Sequence, residues 1–355
     1  MATQKTSQRP LNALTGLRFF AAIQVVLFHF GAGFAERHHF PTAGISLLSS
    51  GWCSVCLFFI LSGFVLAYSH QGKISGMRSC GEFWQARFAR IYPVYLLSLL
   101  LCYEDAFHIS IKLRIAALTM VQSWNPFHPG YGGDWNMPSW TLSVEAFFYL
   151  LFPILIVLIE KLPVRALWAL FTSMLAVIVI FGTALNEPVP HLHGYPIPLP
   201  VLRLPEFIVG LSAGLLFCRG VRLPFAGWIS LASVLSILAL EMSGHPDLLR
   251  YIILPFTFLI FSLSSSVGPI AKGLSSKFIV LLGGASYSIY LLQMPIRRGV
   301  HDLLGRPGSN LDTYVFVPVL ICISILIFHF YEEPLRRSIR RIPLFTKKTQ
   351  NSVTA

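Results

Sequence analysis

The chain has 355 residues, 55% of them apolar or aromatic and only 12% charged, where soluble domains carry about 25% charged residues. That balance excludes a set of ordinary soluble domains, because the apolar residues fall in long runs that suit a bilayer. The formal net charge of +12 could point to nucleic acid. However, the basic residues are scattered between hydrophobic runs and in a tail, the pattern of cytoplasmic anchoring rather than of a binding face.

Taken in chain order, the runs predict spans near 14–34, 45–70, 92–122, 140–159, 166–186, 203–218, 224–242, 248–267, 278–297 and 313–332. The expected fold class is an all-α integral membrane protein, a bundle of about ten transmembrane helices. Period-2 alternation is scarce, and helices satisfy their backbone polar groups within lipid. The third span is interrupted by Glu104, Asp105, Lys112 and Arg114, so a short span followed by an interfacial helix is the alternative there. The first run follows Lys5 and Arg9 but contains Arg18 and lacks a small-x-small cleavage site, so it is read as a span and not as a cleaved signal. Residues 1–341 form the expected membrane domain and 342–355 a short polar tail, with no appended domain.

Lys73, Arg78, Lys161, Arg165, Arg219, Arg222, Lys272 and Lys277, with the arginines and lysines of the tail, fall on one side of this arrangement. The other side is poorer in basic residues. The positive-inside rule then puts both termini in the cytoplasm. Two outer loops are rich in turn formers and aromatics. One runs from Trp124 to Trp140 and includes Tyr131 and Trp135; the other runs from Glu187 to Pro205 and holds five prolines between Pro188 and Pro200. Loops of that length are commonly functional or disordered. The CxxC pair Cys53 and Cys56 lacks a second pair and lies in a predicted span, which reads as small apolar filler rather than a metal site. No metal site is expected.

Ionisable residues inside spans are the informative ones, since each is expensive to bury. Arg18 and His29 are eleven residues apart on the first span, within about 20° of one helical face and roughly 16 Å apart along it. A neutral histidine is the cheapest titratable group to bury, and it can act as a base. Glu145 lies a few residues into a span that enters from outside, which predicts a depth close to that of His29 and a role in orienting it. Arg87 and Arg90 share a helix face at i, i+3, a fork suited to phosphate. The bland alternatives are snorkelling, backbone-bonded or anchoring side chains.

Six stretches carry a resemblance: LNALTGLRFFAAIQVVLFHF, LFFILSGFVLAYS, FWQARFARIYPVYLL, PSWTLSVEAFFYLLFP, GASYSIYLLQMPI and FHFYEEPLRR. In this order they resemble the acyltransferase-3 family of bacterial membrane O-acyltransferases. The resemblance implies ten spans in the inner membrane and transfer of an acyl group, usually acetyl, from cytoplasmic acyl-CoA to a glycan hydroxyl outside. It implies no permanently bound cofactor, acyl-CoA as co-substrate, and possible contact with glycan export or assembly machinery. His29 matches the family's essential histidine, Arg18 the arginine before it, Arg87 and Arg90 its RxxR pair, and Glu145 the glutamate of its PSWSLSVE-like motif. On this resemblance Glu145 orients His29 or binds the acceptor sugar, and direct transfer and an acyl-His29 intermediate both stay open. Gln293 stands where the family often has histidine; it keeps hydrogen bonding but cannot titrate. Trp135 and Trp140, with Trp124 and Tyr131, are candidates for stacking on an acceptor sugar, although such residues also crowd membrane interfaces. A transporter or flippase using His29 and Glu145 as a proton relay is the competing reading, opposed by the lack of an internal repeat.

Overall fold

The computed structural model describes residues 9–124, 135–180, 198–304 and 311–344. The Tyr131 position, most of the loop before Pro198 and all but the first three residues of the expected tail lie outside them. The described residues are helical throughout, with no strand among them. The helices used below are α1 (Asn12–Phe30), α2 (Ser54–His70), α3 (Met77–Leu101), α4 (Trp140–Ile159), α5 (Val164–Ile180), α6 (Leu204–Cys218), α7 (Ala226–Met242), α8 (Ile253–Ser264), α9 (Lys277–Leu304), α10 (Leu311–Ile327) and α11 (Glu333–Arg341).

Apart from the third, every expected span falls on one of these helices. Seven helical stretches among the described residues are long and apolar enough to cross a membrane; α5 and α7 are apolar but shorter. Their outward faces explain why a bilayer is required. On α4, Leu150, Ile154 and Leu158 are each more than half exposed, one turn apart, while Phe148, Phe152 and Ile156 are fully buried. An apolar stripe left open on one face and packed on the other suits hydrocarbon on the open side.

The third expected span, 92–122, is corrected. The helix there starts fifteen residues earlier than expected, at Met77, and stops at Leu101. Ser79 sets its start by accepting the backbone N–H of Gly76 at 3.1 Å and donating to the Gly76 carbonyl at 2.8 Å. Arg78 and Glu82 pair one turn apart at 3.0 Å. Beyond Leu101 come two short helices, Tyr103–Phe107 and Ile111–Leu118, which take the charged residues that interrupted the run. Hydropathy missed the start because Arg87 and Arg90 lower the average, yet they face the protein interior and not lipid.

Small residues bring the helices that frame the centre into backbone contact. On α6, a Cβ at Gly210 would fall 1.9 Å from the Ile60 carbonyl oxygen of α2. On α9, a Cβ at Gly283 would fall 2.0 Å from the Thr15 carbonyl oxygen of α1. The second contact ties α1, which bears Arg18 and His29, to α9, which bears Tyr287, Tyr290 and Gln293.

Candidate functional site

α9 provides a common ruler for the buried polar groups. The ring of Tyr287 lies 5.7 Å from the guanidinium carbon of Arg90. One turn further, the Tyr290 hydroxyl accepts from Thr141 Oγ1 at 3.1 Å. Beyond that, Gln293 Oε1 is 2.7 Å from His29 Nδ1. Three levels result: arginines below, an anchoring hydroxyl in the middle, and the histidine above.

Glu145 belongs to the lower level, not to that of His29. It accepts hydrogen bonds from the Tyr149 hydroxyl and from Ser62 Oγ, the latter at 3.4 Å. Glu145 therefore does not orient His29; the contact that does comes from Gln293. The depth estimate failed because α4 begins beside Tyr290 and Leu291 of α9, already short of the Gln293–His29 level. The residues before it dip inward: Pro138 and Ser139 are buried, and the buried Asn136 donates to Ser98 Oγ at 3.0 Å and to the Leu291 carbonyl at 3.1 Å. A helix that starts there carries its second turn deeper than counting from a loop predicts.

The lower level surrounds a cavity of about 110 Å³, walled by α1, α2, α3, α4 and α9 and lined by Arg18, Arg87, Arg90, Glu145, Tyr149, Tyr287 and Tyr290 among others. Arg90 is held by an ion pair with Glu332, whose other oxygen accepts from Ser288 at 2.9 Å. Arg87 lies over the rings of Phe83 and Tyr149 at 5.6 and 5.8 Å, a cation–π setting. Both Arg87 and Arg90 sit near the middle of α3. The Nε atoms of Arg18 and Arg87 are buried without a hydrogen-bond partner among the described residues. Counting the lining and its direct ion pair among those residues, three guanidinium cations meet two carboxylates. A buried surplus of positive charge with open donors is a site for an anion or a strongly polarised carbonyl.

Sequence reasoning missed Glu332. The signal was present, a glutamate at the last residue of the expected span 313–332 in FHFYEEPLRR, but a carboxylate at a span end does not stand out as buried. A π-helical turn, Phe328–Glu332, separates α10 from α11, and such turns rotate the following side chains relative to an α-helix. Glu332 is consequently buried, while its neighbour Glu333 pairs with Arg336 at 2.6 Å.

Trp135 and Trp140 are built into the wall. The Trp135 indole N–H is shared between the Leu99 and Cys102 carbonyls at 3.0 and 3.1 Å, satisfying acceptors that the end of α3 leaves open. Trp140 packs edge-on to Phe59 at 6.5 Å, and Trp124 edge-on to Phe147 at 4.9 Å. Cys56 is more than filler, since its sulfur accepts from Arg203 at 3.6 Å beside the buried Arg203–Glu206 pair. No group of three His, Cys, Asp or Glu side chains able to hold a metal ion occurs among the described residues.

A family model described as an acyltransferase domain matches residues 11–329. The chain belongs to this family of membrane acyltransferases. It is 32% identical to the acyltransferase MdmB of Streptomyces mycarofaciens, with 95% of this chain and 94% of that protein aligned. It is 26% identical to the O-acetyltransferase OatA of Staphylococcus aureus and 25% identical to the peptidoglycan O-acetyltransferase OatA of Listeria monocytogenes. Those alignments cover 93% and 95% of this chain but only 58% and 57% of the relatives, so the chain spans little more than half the length of either OatA. No solved structure matches it. As an acyltransferase it must bind an activated acyl group and an acceptor.

Proposed function

We propose that this protein moves an acyl group, acetyl by default, from acyl-CoA to a hydroxyl of an exported or cell-envelope glycan or glycoside, with His29 as general base. The observation that carries the reading is the cavity with surplus positive charge on the same helix as a hydrogen-bonded histidine further along α1. Acyl-CoA carries phosphates at one end of a slender arm and a thioester at the other. At about 110 Å³ the cavity is well below the roughly 300–1,000 Å³ of pockets that enclose drug-sized ligands, so it suits the arm and not the nucleotide. Arg18 and Arg87 offer open donors to the anionic and carbonyl groups of the donor, and Arg90, held by Glu332, adds to the field.

In the reaction, the acceptor hydroxyl gives its proton to His29 as its oxygen attacks the thioester carbonyl. The carbon–sulfur bond then breaks, and the leaving thiolate takes the proton back as free CoA. General-base catalysis of this kind contributes about 10²–10⁴-fold. Glu145, bonded to Tyr149 and Ser62, tempers the charge of the arginine cavity. Trp135 and Trp140, half-buried among the helices, remain candidates for contact with the acceptor sugar. The bacterial relatives and the distribution of basic residues support a bacterial inner membrane with both termini cytoplasmic. One relative named for peptidoglycan supports an envelope glycan as acceptor. The proton-relay transporter loses its main support, because Glu145 and His29 occupy different levels.

The test is thiol release from acetyl-CoA by the purified protein in lipid nanodiscs, with and without an extract of envelope glycans. Acceptor-dependent release together with acylated glycan is the expected result. Uptake of glycan into vesicles with no thiol released from any acyl-CoA would point to the transporter.

A further inference from the structure

The upper level contains a constraint on the protonation of His29. Gln293 is fully buried on α9. Its amide nitrogen Nε2 donates to the Tyr290 backbone carbonyl at 2.7 Å, and its Oε1 faces His29 Nδ1 at 2.7 Å. A backbone carbonyl can only accept, so the amide has one orientation in this setting; turned over, it would set two carbonyl oxygens against each other. With the amide oriented, Oε1 is an acceptor that must be met by a donor. The hydrogen of a neutral His29 is then on Nδ1, and the lone pair is on Nε2.

The segment bearing Gln293 is itself anchored. Tyr290 accepts from Thr141 Oγ1 at 3.1 Å and donates to the Pro138 carbonyl at 3.2 Å, and the Leu291 carbonyl accepts from Asn136. The inward-dipping residues before α4 thus fix α9, α9 fixes the amide, and the amide fixes the imidazole. We infer that Gln293 is a positioning residue that holds His29 with its hydrogen on Nδ1, keeping Nε2 as the base that receives the acceptor's proton. This inference rests on His29 acting as the base. The role is that of the third member of a nucleophile–base–orienter set, supplied by a neutral amide, which avoids burying a further charge.

Two measurements test it. In wild-type protein with ¹⁵N-labelled histidine in nanodiscs, the His29 signal is assigned by its loss in His29→Ala. Nδ1 should show the shift of a protonated ring nitrogen and Nε2 that of an unprotonated one; the reverse assignment overturns the proposal. In kinetics, Gln293→Leu should lower kcat by about 10–100-fold, the range for lost orienting partners of a functional histidine, with the KM for acyl-CoA unchanged. Gln293→Glu keeps an acceptor towards Nδ1–H and, as the neutral acid, an O–H donor to the Tyr290 carbonyl, so it should recover most of that loss at pH values where its carboxyl is protonated. A Leu variant with wild-type kcat, or a Glu variant no better than Leu at those pH values, contradicts positioning. Failure of the underlying reading looks different: His29→Ala would retain acyl transfer whatever the nitrogen shifts report.

Discussion

The two levels of the site solve opposite problems of burial. Among the described residues, the lower one collects three arginines and two carboxylates around a cavity and leaves the Nε atoms of Arg18 and Arg87 without a partner. The upper one holds a single titratable ring, satisfied by an uncharged amide. Buried charge that is left incomplete implies a ligand that completes it. A buried neutral base with a fixed hydrogen implies proton transfer. On the function proposed above, donor binding falls to one end of α1 and chemistry to the other.

Substitutions at the two levels should therefore separate in kinetics. The largest effect is expected from His29→Ala, a fall in kcat of about 10²–10⁴-fold with little change in KM for acyl-CoA. Next, Arg18→Ala and Arg87→Ala should raise that KM by about 10-fold or more each, the loss of one charge-assisted hydrogen bond worth roughly 1.5–3 kcal/mol, while kcat at saturation stays closer to wild type. Glu332→Leu should act on stability, because it leaves Arg90 buried and unpaired. A cost of about 3–5 kcal/mol, read as a lower Tm in detergent, should be relieved in part by adding Arg90→Met. The smallest effect is expected from Glu145→Gln. The amide still accepts from Tyr149, and the cavity becomes more positive, so KM for acyl-CoA should fall with kcat little changed. A proton relay through Glu145 would instead lose its turnover in that variant.

Much of this division was legible in the sequence, and its failures share a cause. Arg18, His29 and Glu145 stood out because ionisable residues in apolar runs are costly, Arg87 and Arg90 because they share a helix face at i, i+3, and the apolar runs themselves located most helices. What the sequence hid depends on where helices begin and turn. The start of α3 was masked by arginines that hydropathy treats as lipid-facing. Glu145 was assigned the wrong neighbour because α4 starts beside Tyr290 and Leu291 of α9, on the Asn136–Ser139 turn. Glu332 was concealed by a π-helical turn that buries one of two adjacent glutamates. Gln293 was legible as a departure from the family pattern, but its orienting role needs the Tyr290 carbonyl, which only the fold brings to it.

The most direct test of the two-level account is a side-by-side determination of kcat and of KM for acetyl-CoA. It compares wild type, His29→Ala and the double variant Arg18→Ala/Arg87→Ala in nanodiscs with a saturating glycan acceptor. The account predicts that His29→Ala loses kcat at near-normal KM and that the double arginine variant loses affinity for the donor while retaining turnover at saturation. Equal loss of kcat in both, with KM unmoved by the arginine substitutions, would contradict it.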